Sequence, residues 1–101
     1  MPQPPPISES HVRDQLAREG LDAERWSNGP GTVYEVHDHP YGKVLIVASG
    51  SITFTIDHGE RVVSMTPGDR LFLPPRTPHS AQAGPEGVVC LEAHLPPEST
   101  G

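Results

Sequence analysis

Along this chain the rhythm of apolar and polar residues changes near Trp26. Between Ser8 and Gly20 apolar side chains recur at Val12 and Leu16, an i, i+4 stripe. That stripe predicts a short helix, with Ser8 placed to cap its start and Gly20 to end it. It is narrow, so the helix must lean on another element. His11 falls within it and is read as a solvated helix residue. Beyond Trp26, short alternating runs separated by turn residues every eight to twelve positions predict strands. They are placed at about 32–38, 43–49, 51–57, 60–66, 70–74, 79–83 and 87–95.

Turn chemistry supports that division. Asp57-His58-Gly59-Glu60 lies between two alternating runs and reads as a two-residue hairpin turn, a place where His58 tolerates positive φ. Pro67-Gly68 suits the central pair of a type II turn. Pro74, Pro75 and Pro78 bracket a rigid loop leading to His79. With 13 Pro and 10 Gly in 101 residues, a helical bundle is excluded and an all-β fold is expected, carrying one short N-terminal helix. The length allows one domain, over 8–95. A flexible Pro-rich arm, 1–7, which could also lie along a barrel edge, is expected before it, and a flexible tail, 96–101, after it.

Charge narrows the function classes. A net charge of −6 with seven scattered basic residues offers no cationic face for nucleic acid or an anionic bilayer. The longest apolar run, Val44 to Ala48, is far too short to span a membrane. Cys90 is the sole cysteine, so no internal disulfide forms. Together with an amino terminus lacking a basic-then-apolar leader pattern, this predicts a cytoplasmic protein.

The chemistry concentrates in histidines. In a strand, His37 and His39 point to one face with Cα atoms about 6.5–7 Å apart, close enough for two imidazoles to share an ion. An H-x-H pair alone is a weak signal, and the surrounding spacing carries the weight. Gly31 precedes the pair, Lys43 and Gly50 follow it, and later come Pro67-Gly68-Asp69, Pro74 and His79.

This arrangement, over residues 31–79, resembles the two sequence motifs of the cupin superfamily. Trp26 to Gly31 (W-S-N-G-P-G) and His39 to Leu45 (H-P-Y-G-K-V-L) resemble a group of small single-domain cupins more closely still. The resemblance implies a double-stranded β-helix (jelly-roll) barrel in which His37, His39 and His79 meet. Neutral imidazoles suit Fe, Mn, Ni, Cu or Zn, and three ligands leave open positions for water or substrate. One divalent transition metal is therefore the expected cofactor.

The chain departs from the family pattern in three places: Lys43 stands where the first motif has Glu, Arg76 where the second has Gly, and Ala83 where some members have Asn. Beside three neutral histidines, a divalent ion and Lys43 would leave a local charge of about +3. Lys43 could snorkel outward, lose its proton, or pair with an anion that completes the site, and the anion is the favoured resolution. Glu35, two residues before His37, shares its face by strand periodicity. It could neutralise Lys43, act as a general base or bind metal, or it could end a strand in water. Lys43 and Glu35 are the candidate catalytic groups. Cys90, Glu92 and His94 alternate along the last strand, so one face there is partly polar; Cys90 and His94 are expected as packing or rim residues, with lining of the cavity as the alternative. Trp26 and Tyr41 are expected at a lid or edge, where either could stack on a substrate.

Three functional readings follow. One is a metal-dependent dioxygenase, isomerase or lyase acting on a small anionic molecule. Another is a non-catalytic small-molecule binding or sensor module. The third is a metal-free barrel in which Lys43, held by Glu35, replaces the ion. A homodimer formed through edge strands is expected in each case.

Overall fold

The computed structural model describes residues 4–95. The first three residues of the expected arm and the expected tail 96–101 lie outside the described residues.

The helix forms as its sequence dictates. α1 spans Glu9–Arg18, and the Ser8 hydroxyl accepts from the His11 N–H at 3.2 Å. At the other end Gly20, at φ +80°, donates to Ala17 O and Leu21 donates to Leu16 O, each at 2.9 Å. These two bonds are the Schellman pair that satisfies the last carbonyls. Val12 and Leu16 are buried against Val44, Ile46 and Leu91, with Ile7, Leu21, Ala23 and Leu95 around them. The narrow stripe therefore leans on the outer face of a sheet. Arg70 clamps the helix end by donating to both Glu19 carboxylate oxygens, at 2.5 and 2.8 Å.

Six strands follow: β1 Glu24–Asn28, β2 Val33–His37, β3 Lys43–Ile56, β4 Arg61–Met65, β5 Arg70–Leu73 and β6 His79–His94. All pairings are antiparallel. β3 and β6 run together over nearly their whole length, Lys43 opposite His94 and Ile56 opposite His79. The first half of β3 pairs also with β5, and its second half with β4. The second half of β6 pairs also with β1, and its first half with β2. Each long strand thus serves two sheets, which fold over one core. Alternate residues of both halves face inward: Leu45, Val47, Ile52, Phe54 and Ile56 from β3, with Ala81, Ala83, Val88 and Cys90 from β6. Met65, Leu71 and Leu73 complete this core, and the expected all-β barrel is the result.

The seven expected strands correspond to five of these elements, and the merging has a physical cause. Gly50 and the Gly84–Gly87 stretch read as turns, but they are corners within continuous strands. At Gly50, φ is +74° and a Cβ would stand 2.0 Å from Gly87 O, so only glycine lets the two chains cross there. The ladder shifts register on either side of this corner, between Val47 and Ser49 and between Gly50 and Ile52. The first shift skips Ala48, whose carbonyl accepts instead from the Ile7 N–H at 2.8 Å, so the end of the arm lies along β3.

β1 was not expected. Its sequence, Glu-Arg-Trp-Ser-Asn, carries a single large apolar residue, and Trp26 sits opposite Cys90. Both predicted turns are present, the first one longer than expected. Asp57, His58 and Gly59 have φ of 52°, 56° and 97°, Glu60 N–H donates to Asp57 O at 3.2 Å, and the last ladder pair is Ile56 with Arg61, so the hairpin turns through the four residues 57–60 rather than two. Gly68, at φ +94°, follows Pro67 in a turn closed by Asp69 N–H to Thr66 O at 2.9 Å. Asp69 returns its carboxylate to Thr66 N–H at 2.8 Å.

Candidate metal centre

The last residue of β2 and the first of β6 stand opposite one another, His37 paired with His79. His39 lies beyond β2, in the loop to β3. Strand alternation therefore does not align His37 with His39; the loop brings their rings together. Its course is fixed by Arg76, whose N–H donates to His39 O at 2.7 Å. Arg76 holds φ at 61°, the left-handed conformation that the family pattern assigns to glycine.

The three rings converge. Their centroids lie 4.8 Å apart for His37 and His39, 4.4 Å for His37 and His79, and 5.5 Å for His39 and His79. One nitrogen from each lies within 4.8 Å of the others. His37 Nδ1 is 2.6 Å from Glu35 O and His79 Nδ1 is 2.8 Å from Thr77 O. A carbonyl can only accept, so both Nδ1 atoms carry a proton, and in the neutral form of either ring Nε2 keeps a free lone pair. His39 Nε2 and His79 Nε2 are buried with no hydrogen-bond partner. Burial, followed by the Lys43 ammonium and the other two rings, holds His39 below its ordinary pKa. Burial likewise lowers His79, aided by His37 and Lys43 and opposed by the Thr77 carbonyl. Both are neutral donors at neutral pH.

Lys43 opens β3 with its side chain inward and 10% exposed. Its partner is Glu92, not Glu35: Nζ lies 3.2 Å from Glu92 Oε1. The same oxygen accepts from Trp26 Nε1 at 3.1 Å, and Glu92 Oε2 meets His94 Nε2 at 3.1 Å. Glu35 is exposed. A register shift between Tyr34 and His37 breaks the alternation that would have put it on the His37 face, and its backbone carbonyl is what reaches the site. With Glu92 cancelling Lys43, a divalent ion here would leave about +2 rather than +3.

A cavity of about 40 Å³ adjoins the histidines, walled by Trp26, Tyr34, Lys43, Leu45, Ile52 and Phe54 among others. Tyr34 accepts a hydrogen bond from Asn28 Nδ2 and is raised above its ordinary pKa by burial. Cys90 is fully buried, and its thiol is pushed up to about 12 by burial and by Glu92. It is therefore a packing group rather than a ligand or nucleophile. Ala83 faces the core. Tyr41 stacks on both His39 and His94. Glu92 and Tyr41 are the site residues that sequence reasoning undervalued. The polar alternation at 90, 92 and 94 was the available signal for Glu92; Tyr41 was expected to pack at a lid or edge or to stack on a substrate, and it stacks on His39 and His94 instead.

Comparison with known proteins agrees with this fold. The cupin domain profile matches residues 25–94. No curated protein matches the chain. Among solved structures, the DMSP lyase DddQ from Ruegeria pomeroyi DSS-3 superposes with a TM-score of 0.69 at 23% identity, over 80% of this chain and 41% of that one. The chain thus spans less than half the length of that lyase. An RmlC-like cupin from Shewanella frigidimarina NCIMB 400 gives 0.66 at 26% identity, over 78% and 68%. Bacillus subtilis oxalate decarboxylase, described with Mn(II) centres, gives 0.65 at 30% identity, over 73% of this chain and 20% of that one.

Proposed function

The chain belongs to the cupin domain family, and on that footing we propose that it binds one divalent transition metal through His37, His39 and His79 and presents it to a small anionic molecule. The observation that carries this reading is the pair of buried, unpartnered Nε2 atoms on His39 and His79. Burying a polar atom without a partner costs about 1–3 kcal/mol, and a shared ion would remove that cost at both atoms at once. The carbonyl anchors on His37 and His79 are what metal-ligating imidazoles use to fix ring and tautomer. The Mn(II) centres of the decarboxylase relative support placing Mn(II) among the first metals to try.

A metal held here would act as a Lewis acid on a bound oxygen. Lys43, fixed by Glu92 at the cavity wall, would pair with the anionic end of the ligand, and the apolar walls would exclude water from it. Dioxygenase, isomerase and lyase chemistry all fit such a site. A binding or sensor role would use the same residues without turnover.

The test is metal analysis of untagged protein. We expect close to one equivalent, lost in His37→Ala and in His79→Ala. Absence of metal after anaerobic reconstitution with Fe(II), Mn(II), Ni(II), Cu(II) and Zn(II) would leave the metal-free barrel as the reading. For the anion, Lys43→Glu should raise metal affinity and weaken acetate binding. Tighter acetate binding by that variant would rule the anion role out.

A further inference from the structure

The three histidines are not held alike. His37 and His79 each donate from Nδ1 to a backbone carbonyl two residues earlier. His39 has no ring hydrogen bond among the described residues, and it stands on a loop rather than in a strand. An imidazole so placed is free to turn about its terminal torsion. What its ring meets is Tyr41, stacked at a centroid distance of 5.0 Å with the planes 19° apart. Tyr41 also stacks on His94, at 4.1 Å and 28°. His94 is pinned in turn by Glu92 Oε2, while the other Glu92 oxygen is held by Lys43 and Trp26.

We propose that Tyr41 is the positioning residue for His39. Its ring, also stacked on His94, does by stacking what the Glu35 and Thr77 carbonyls do by hydrogen bonding for the other two histidines. The flat ring is the active part, and the phenolic hydroxyl is not required. The same stack joins His39 to the Lys43–Glu92 pair, so the metal-side and anion-side groups are set by one continuous set of contacts. This inference rests on the proposed three-histidine metal site.

The experiment compares Co(II) binding and the visible ligand-field spectrum in the wild-type chain, Tyr41→Phe, Tyr41→Leu and His37→Ala. Orienting partners of metal-bound histidines contribute about 10–100-fold to affinity. Tyr41→Leu should therefore weaken Co(II) binding by about tenfold or more and alter the absorption band, while Tyr41→Phe matches wild type in both. An unchanged leucine variant, or a phenylalanine variant weakened as much as leucine, overturns the stacking role. If wild-type protein fails to bind Co(II), or His37→Ala binds it equally well, the metal reading has failed and not the positioning one. Crystal structures of the metal-free variants then decide the latter. A His39 ring turned away or split between orientations in Tyr41→Leu, but not in Tyr41→Phe, supports it; a ring unmoved in both refutes it.

Discussion

Lys43 Nζ and Glu92 Oε1 lie 3.2 Å apart inside the barrel, with their side chains only 10% and 15% exposed. At this depth, removing one partner strands the other charge away from water. Glu92→Gln should lower stability by roughly 3 kcal/mol at neutral pH, measured by urea denaturation. The double variant with Lys43→Met should recover much of that loss. A Glu92→Gln variant as stable as wild type would mean that the ammonium escapes to solvent.

Acid should weaken the metal-free fold through two of the same histidines. His39 and His79 are both held below the ordinary value of 6.5. As pH falls, the unfolded chain takes up these protons before the folded one does, so the equilibrium moves toward unfolding. The contribution is complete above about pH 6.5 and is lost progressively below it, down to the folded values. Thermal melts of metal-free protein at pH 7.5 and 5.5 should show the drop, and His79→Gln should reduce it. A profile that rises toward acid would contradict the burial argument.

Arg76 carries a strain that its backbone contact requires. Its φ of 61° places it in the left-handed region, and its N–H is the donor to His39 O. Glycine keeps the donor and relieves the strain at some cost in chain entropy, so Arg76→Gly should stabilise by up to about 1 kcal/mol. Arg76→Pro removes the N–H and imposes negative φ, so it should destabilise the fold and weaken metal binding as well. Equal melting temperatures for the two variants would show that this contact does not position the loop.

Gly50 tests the corner between the sheets. The Cβ of an alanine there would collide with Gly87 O and the residue would keep a positive φ. Gly50→Ala should lose about 3 kcal/mol or more, read as a large fall in the denaturation midpoint. Gly29→Ala makes a fair comparison, because a Cβ there meets nothing within 4 Å.

Much of this was legible in the chain. The helix was bounded by Ser8 and Gly20 because capping is a local matter. The His58-Gly59 and Pro67-Gly68 turns were legible for the same reason. The three-histidine set could be named because its spacing matches a known pattern. What escaped depended on pairing across the barrel. β1 is held by β6 and not by any apolar run of its own. Glu92 finds Lys43 only because β6 lies beside β3. Glu35 was misplaced by a bulge that has no reliable sequence mark. Glycine, read as punctuation, concealed the continuity of both long strands.

β6 is sixteen residues long, yet His79 and His94 at its two ends border the same site because the strand bends at the Gly84–Gly87 stretch. Inserting one residue at that fold would invert the facing of everything after it and of nothing before it. Glu92 and His94 would swing to the outside while His79 stayed with the other imidazoles. A change made well away from the imidazoles would thus remove both the Lys43 partner and the ring stacked on Tyr41 from the site.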